Sequence, residues 1–257
     1  MNVKRLIGII MGVLAIEGGI LIGISVISSG NRVYGETEQS GKQSGAAEDK
    51  KAKKKVSRTG EKEAQNIYKN NKKILVLVNV AHELPERYDA SLRTICNGRL
   101  KASERLYPAL VDMLEAAGEE GHHYWIASAW RSREKQQKLV DEDVRAAMQK
   151  GASYQEALKE TYRETMPAGH SEHETGLALD ILCQGNLQMD RSQEKEPGNI
   201  WLRENSWRYG FILRYPEKKK KVTGIRYEPW HFRYVGKKAA AYMHTHNLTL
   251  EEFWERL

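Results

Sequence analysis

Cysteine is scarce in this chain: Cys96 and Cys183 are the only two among 257 residues. Two thiols are too few for a disulfide-stapled scaffold, and their spacing matches no zinc-binding cysteine motif. One disulfide or two buried thiols both fit the pair; buried thiols are favoured, because free Cys usually behaves as a small buried hydrophobe. No cysteine lies near the N-terminus, which excludes a lipid-modified N-terminal Cys. No internal repeat is visible, which excludes a repeat architecture. Large apolar side chains are almost missing from residues 31–73, a stretch rich in Gly, Ser, Lys, Glu and Gln. Such a segment cannot bury enough surface to offset its ordering entropy, so it reads as a flexible linker.

Charge is also nearly missing from Leu6 to Ile27, where Glu17 is the one ionisable residue. That run is long enough to cross a hydrocarbon core of ~30 Å. Lys4 and Arg5 before it should stay in the cytoplasm and send the rest of the chain outside. A membrane anchor is therefore expected over residues 1–30; a cleaved signal segment and secretion is the rival reading, with Val33-Tyr34-Gly35 as a cleavage site. Glu17 is the weakness of the anchor, since an ionised group in mid-span is costly. The net charge of +7 sits in local patches, in residues 50–73 and in Lys218 to Lys221. It reads as solvated lysine clusters able to attract anionic wall polymers or lipid head groups, with no sign of a nucleic-acid partner.

The folded part is expected at residues 74–257. Ile74 to Val78 reads as a buried strand. Ser103 is a cap for a helix with Leu106, Leu110, Met113, Leu114 and Ala117 on its inner face, ended by Gly118 and Gly121. Tyr124 to Ser128 reads as a strand and Arg133 to Lys150 as a helix with Leu139, Val140, Val144 and Met148 inward. A further helix covers Ser153 to Glu164. Leu177 to Leu182 is a strand, Ile200 to Tyr209 a helix and Arg226 to Tyr234 an aromatic-rich strand. Thr249 with Glu252 forms a capping box for a last helix, Leu250 to Leu257. Helices and strands interleave without a βαβ rhythm, so the fold class is α+β, with a small, mainly antiparallel sheet flanked by helices.

Chemistry concentrates in two short blocks, Gly169-His-Ser-Glu-His-Glu-Thr-Gly-Leu-Ala-Leu-Asp180 and Glu228-Pro-Trp-His231. Two neutral imidazoles and one carboxylate can hold zinc by three corners of a tetrahedron and leave the fourth for water, as catalytic zinc requires. His173, Asp180 and His231 supply that set for one Zn2+ ion, and Glu228 remains free as the base. On the strand, Leu177, Leu179 and Ile181 face the core while Ala178 and Asp180 share the other side. Gly176 permits the sharp turn that brings His173 back over Asp180. Pro229 argues against a helix through Glu228 and His231, because proline forces its predecessor out of the helical region. His170 is close enough to His173 to back it, and Trp230 and Phe232 are expected to frame the cleft. His122 and His123 are adjacent, so at most one of them could reach a metal.

Ser171-x-His173-x-x-Gly176-x-Ala178-x-Asp180 and Glu228-Pro-Trp-His231 resemble the signature of the VanY-like D-alanyl-D-alanine carboxypeptidases, zinc peptidases that trim peptidoglycan stem peptides. The resemblance runs from Leu75 to Gly236. It implies that His173, Asp180 and His231 are the zinc ligands and Glu228 the catalytic base. Ser128-Ala-Trp-Arg131-Ser132 resembles the family's Ser-Gly-Tyr-Arg-Ser block, which makes Arg131 the holder of the substrate's terminal carboxylate, with Gln136 and Ser171 in the same pocket. A guanidinium suits that task, since it can grip a carboxylate by two hydrogen bonds. Ala129 and Trp130 depart from the family's Gly and Tyr, which leaves the pocket wall there less defined.

The expected protein is thus a monomeric, membrane-anchored extracellular enzyme that removes the C-terminal D-alanine from cell-wall stem peptides. It would act as a D,D-carboxypeptidase or as an L,D-carboxypeptidase. A D,D-dipeptidase or a cross-link endopeptidase with the same zinc site is the alternative within the enzyme class, and a non-catalytic wall-binding module is the alternative outside it.

Overall fold

The computed structural model describes residues 60–257. The expected membrane segment and most of the expected linker lie outside the described residues; among those described, no helix is long and apolar enough to cross a membrane. The observed architecture is α+β. A four-stranded antiparallel sheet in the order β3-β4-β6-β5 comprises Tyr124–Ser128, Ala178–Cys183, His231–Tyr234 and Phe211–Leu213. A hairpin, β1 (Leu92–Ile95) with β2 (Leu100–Ser103), forms a second, smaller sheet. Helix α1 spans residues 60–71, followed in the chain by α2 (Tyr107–Glu119), α3 (Arg133–Gln149), α4 (Tyr154–Thr161), α5 (Pro197–Asn205), α6 (Lys220–Thr223), α7 (Lys237–His246) and α8 (Leu250–Trp254).

Two apolar clusters organise these elements. In one, Leu179 and Ile181 of β4 and Phe232 of β6 pack against Leu106, Leu110, Met113 and Ala117 of the α2 region and Trp201 and Leu202 of α5. In the other, Ala64 and Ile67 of α1 and Leu75 and Leu77 meet Ala239, Ala240 and Met243 of α7 and Leu250 and Phe253 of α8. Residues 60–71 therefore depart from the expected linker: Ala64 and Ile67, one helical turn apart, are enough apolar surface to dock a helix on a ready-made groove. Cys96 and Cys183 are free thiols, as favoured from the sequence, but only Cys183 is buried and Cys96 is half-buried.

Several element boundaries also differ. Ile74 to Val78 is not a strand; it is an irregular segment with Leu75, Leu77 and Val78 buried. Its carbonyls bond to side chains instead of a ladder: Arg233 Nη2 donates to Ile74 O and Val76 O, and Trp254 Nε1 donates to Leu75 O. Ser103 ends β2, and α2 begins at Tyr107 with Pro108 in its first turn, where a missing N–H costs nothing. Met148 near the end of α3 is exposed. Only His231–Tyr234 of the expected Arg226 to Tyr234 strand pairs, because Pro229 and Trp230 occupy a turn. Ser132 caps α3 as an N-cap acceptor, and both expected C-terminal features, the Thr249–Glu252 capping box and its helix, are present.

Candidate metal centre and substrate cleft

Sheet register brings the candidate residues together. Asp180 lies near the middle of β4, opposite His231 of β6 on one side and Ser128 of β3 on the other. The pairing of β3 with β4 shifts between Ile126 and Ser128, an irregularity that re-aims the chain leading to Arg131. Upstream of β4, a 3-10 turn over Glu172–Thr175 presents His173 and is closed by Gly176 at φ 69°. A Cβ at Gly176 would stand 2.9 Å from the Ser103 backbone nitrogen, so this close crossing of the hairpin admits only glycine. The turn at Pro229 and Trp230, with His231 N–H donating to Glu228 O over 3.3 Å, folds Glu228 back toward the same space.

The three candidate ligands converge. One ligand atom from each of His173, Asp180 and His231 lies within 4.8 Å of the others. His173 Nε2 is 3.3 Å from Asp180 Oδ2, and His231 Nδ1 is 3.1 Å from Asp180 Oδ1. Two donors each about 2.1 Å from a tetrahedral ion stand roughly 3.4 Å apart, so these spacings fit zinc. All three residues are buried. Asp180 Oδ1 is one of three buried side-chain polar atoms among the described residues with no hydrogen-bond partner; the others are His231 Nε2 and Glu172 Oε2. A buried lone pair left open at the meeting point of two imidazoles is what a cation site requires.

The imidazole tautomers follow from their outer contacts. Nδ1 of His173 donates to the Ala129 carbonyl over 2.7 Å, which leaves Nε2 as the free lone pair facing Asp180. Burial pulls the pKa of His173 down, and Arg131 adds to this against the opposing pull of Asp180; the neutral, ligating form is favoured. Asp180 is held well below the usual carboxylate range: its burial opposes ionisation, but His173 and His231 outweigh it. For His231, burial opposes protonation while Asp180 and Glu172 outweigh it and lift the pKa to about 9. Asp180 and Glu172 thus draw positive charge to His231, a place that a proton or a metal cation can fill.

Glu228 stands apart from the three. Its carboxylate is 3.7 Å from His231 Nδ1, and burial, reinforced by Asp180, pushes its pKa up to about 8. Glu228, Ser171, Arg131, Gln136 and Trp230 line a cavity of about 330 Å³ together with the three candidate ligands. Arg131 points its guanidinium at neutral partners, donating from Nη1 to Gln136 Oε1 over 2.8 Å and from Nη2 to Ser128 Oγ over 3.1 Å. Gln136, fully within α3, is fixed in turn by donation from Nε2 to Met166 O over 2.6 Å. Burial lowers the Arg131 pKa, and Asp180, Glu174 and Glu228 oppose that shift, so the guanidinium keeps its charge.

Two expectations are corrected here. His170 does not back His173; its Nδ1 meets Asn79 O at 2.8 Å, and the Ala129 carbonyl fills the backing role. Phe232 does not frame the cleft, because it alternates to the opposite side of β6 and lies in the main core. His122 and His123 lie away from the centre, in a shallow groove beside Cys183.

Reasoning from sequence missed Glu172, Tyr215, Arg214 and Arg233. Tyr215 sets its ring 4.9 Å from that of His231. Glu172 is buried between Arg214 and Arg233, bonded to Nε of the first at 2.8 Å and Nη1 of the second at 2.7 Å. Glu172 sat inside the quoted block, yet nothing local distinguishes a buried carboxylate from a solvated one, and its partners lie more than forty residues away.

A buried centre of two imidazoles and one carboxylate, a glutamate beside it and an arginine in the same cleft is the donor layout that suits a mononuclear zinc hydrolase. The family model described as "VanY: D-alanyl-D-alanine carboxypeptidase" matches residues 99–237. The chain belongs to that family. It is 39% identical over 179 residues to a D-alanyl-D-alanine carboxypeptidase of Enterococcus faecalis, an alignment that covers 70% of this chain and 65% of that protein, just under two thirds of its length. The solved structure of VanYB in complex with D-alanine-D-alanine aligns with a TM-score of 0.65 at 38% identity, covering 71% of this chain and 97% of the other. A vancomycin-resistance D,D-pentapeptidase VanY variant in complex with Zn(II) aligns with a TM-score of 0.64 at 38% identity, covering 71% and 99%.

Proposed function

We propose that this protein is a zinc-dependent peptidoglycan carboxypeptidase that removes the C-terminal D-alanine from stem peptides, with His173, Asp180 and His231 as the ligands of one zinc ion. The observation that carries this reading is the convergence of those three buried donors beside an unligated glutamate. Zinc, when bound there, supplies a Lewis acid that polarises the scissile carbonyl and acidifies the attacking water.

The chain's own residues do the rest. Arg131, held by Gln136 and Ser128, binds the terminal carboxylate of the substrate, and its neutral partners leave its charge available. This selects a free C-terminus and sets which peptide bond is presented. Glu228 takes the proton of the attacking water and passes it to the leaving amine nitrogen. Burial favours its protonated form, which suits a group that must hold that proton until the amine takes it. Ser171 and Trp230 line the same cleft and shape its walls.

The ligands, the base and the arginine all come from one chain, which supports action as a monomer. Leu6 to Ile27, with Lys4 and Arg5 before it, supports a single-pass anchor that holds the catalytic domain on the outer face of the membrane, beside its wall substrate.

The test is to incubate the purified, zinc-loaded full chain with tetrapeptide and pentapeptide muropeptides and weigh the products. Loss of one alanine residue from either substrate is the expected result. Release of an intact D-Ala-D-Ala dipeptide, or cleavage inside a cross-link, would move the assignment to the dipeptidase or endopeptidase reading. No cleavage by zinc-loaded protein would leave a wall-binding module.

A further inference from the structure

Glu172 is buried deeper than any candidate ligand, with 0% side-chain exposure, and it is one residue before His173 in the chain. Its Oε1 accepts from Arg214 Nε and Arg233 Nη1, so that oxygen is fully engaged. Its Oε2 has no hydrogen-bond partner and stands 3.5 Å from Nε2 of His231, which has none either. Two buried polar atoms of complementary character thus face each other at the outer edge of hydrogen-bonding range. The other nitrogen of the same imidazole, Nδ1, is the one turned to Asp180 and Glu228.

We propose that Glu172 is a positioning residue for the metal centre: its Oε2 accepts the Nε2 proton of His231, fixing the ring so that Nδ1 presents its lone pair to zinc. The need for such a group follows from the chemistry. An imidazole that coordinates through one nitrogen carries its proton on the other, and a carboxylate accepting that proton fixes the tautomer, orients the ring and strengthens the ligand. His173 has the Ala129 carbonyl for this purpose. His231 has Glu172.

The two arginines extend the arrangement into segments outside residues 99–237, the part matched by the family model. Arg214 also donates from Nη1 and Nη2 to Glu251 at the start of α8, at 2.9 and 2.6 Å. Arg233 reaches Ile74 O and Val76 O at 3.0 and 2.9 Å. The segment at residues 74–76 and the last helix therefore hold the two cations that hold Glu172. The orientation of His231 depends on chain on both sides of residues 99–237.

This inference rests on the metal-site reading above, and the test separates the two. Zinc dissociation constants are measured on the purified full chain by competition with a fluorescent chelator, for wild type, Glu172→Gln and Glu172→Asp. Visible spectra of the cobalt-substituted proteins are recorded alongside. Glu172→Asp keeps a negative charge opposite both arginines, so it protects the fold, but it shortens the reach to Nε2 by one methylene. The expected result is zinc affinity weakened about 10- to 100-fold in both variants, the range for losing the outer partner of a ligating His, with a changed cobalt spectrum. On muropeptide, kcat falls while KM stays within about twofold, because the group touches His231 and not the substrate. If Glu172→Gln does not fold, the Glu172→Asp result decides. Folded variants with wild-type zinc affinity and an unchanged cobalt spectrum overturn the positioning role. Failure of the wild type itself to bind zinc overturns the reading on which it rests.

Discussion

Arg131 and Arg214 are both largely withdrawn from water, yet they keep opposite company. Arg214 is fully buried between two carboxylates, Glu172 and Glu251, and its pKa is raised because they outweigh the cost of burying it. Arg131 lies at the wall of the cleft, and its hydrogen-bonded partners are the uncharged Gln136 and Ser128. An arginine whose charge is matched inside the protein is part of the scaffold; one held by neutral acceptors still has charge to offer. Just past the ends of β3 and β5, then, stand one guanidinium held by neutral partners and one spent on structure. This difference, more than burial or position, is what supports the proposal that Arg131 reads a substrate carboxylate.

Breaking the scaffold side of the comparison has the largest effect on stability. Arg214→Met leaves Glu251 without its cation and Glu172 with Arg233 alone, and should cost about 3–5 kcal/mol of folding free energy, the range for removing one partner of a buried pair. Denaturant unfolding checks this, and loss of activity should follow loss of the fold. Arg131→Met should do the reverse. Its partners are neutral, and Gln136 lines the cleft, where water can replace the lost bond, so the midpoint of thermal unfolding should move by no more than about 4 °C, the shift of ~1 kcal/mol in a domain of this size. Losing a charge-assisted grip worth about 1.5–3 kcal/mol should lower kcat/KM by roughly 10- to 150-fold, as steady-state D-alanine release would show.

Gln136→Glu sharpens the contrast further. It gives Arg131 an internal carboxylate and so converts it toward the Arg214 condition; KM should rise while the metal content stays at the wild-type level, measured by kinetics and elemental analysis. The smallest effect is expected at the periphery. Lys219 pairs with Glu252 at 2.7 Å, but both side chains are partly in water. Lys219→Ala should change stability by less than about 1 kcal/mol and leave hydrolysis untouched.

Much of the site was legible because its chemistry is compressed. His173 and Asp180 are seven residues apart, Glu228 and His231 three, and the strand alternation around Leu179 and Ile181 is enough to put Asp180 on the cleft side. Gly176 was read as a turn, and its left-handed backbone bears that out. The α+β class and the position of β3 also followed from local pattern. What escaped depends on contacts distant in sequence. Arg233 looks like a surface residue of an aromatic strand, and only the approach of Ile74 and Val76 from the far end of the chain buries it. Ile74 to Val78 has the composition of a strand, yet its backbone is taken up by side chains of Arg233 and Trp254, an arrangement no propensity encodes. Helix α1 was hidden within a polar stretch because two apolar residues, Ala64 and Ile67, suffice when α7 and α8 already form the groove.

The most direct test of the account is the zinc content of the purified full chain and of its Asp180→Ala variant, determined by elemental analysis after dialysis against metal-free buffer. One zinc per chain in the wild type and a background level in the variant is the predicted result. Zinc retained at one per chain after Asp180→Ala, or none in the wild type, would contradict the claim that His173, Asp180 and His231 share one ion.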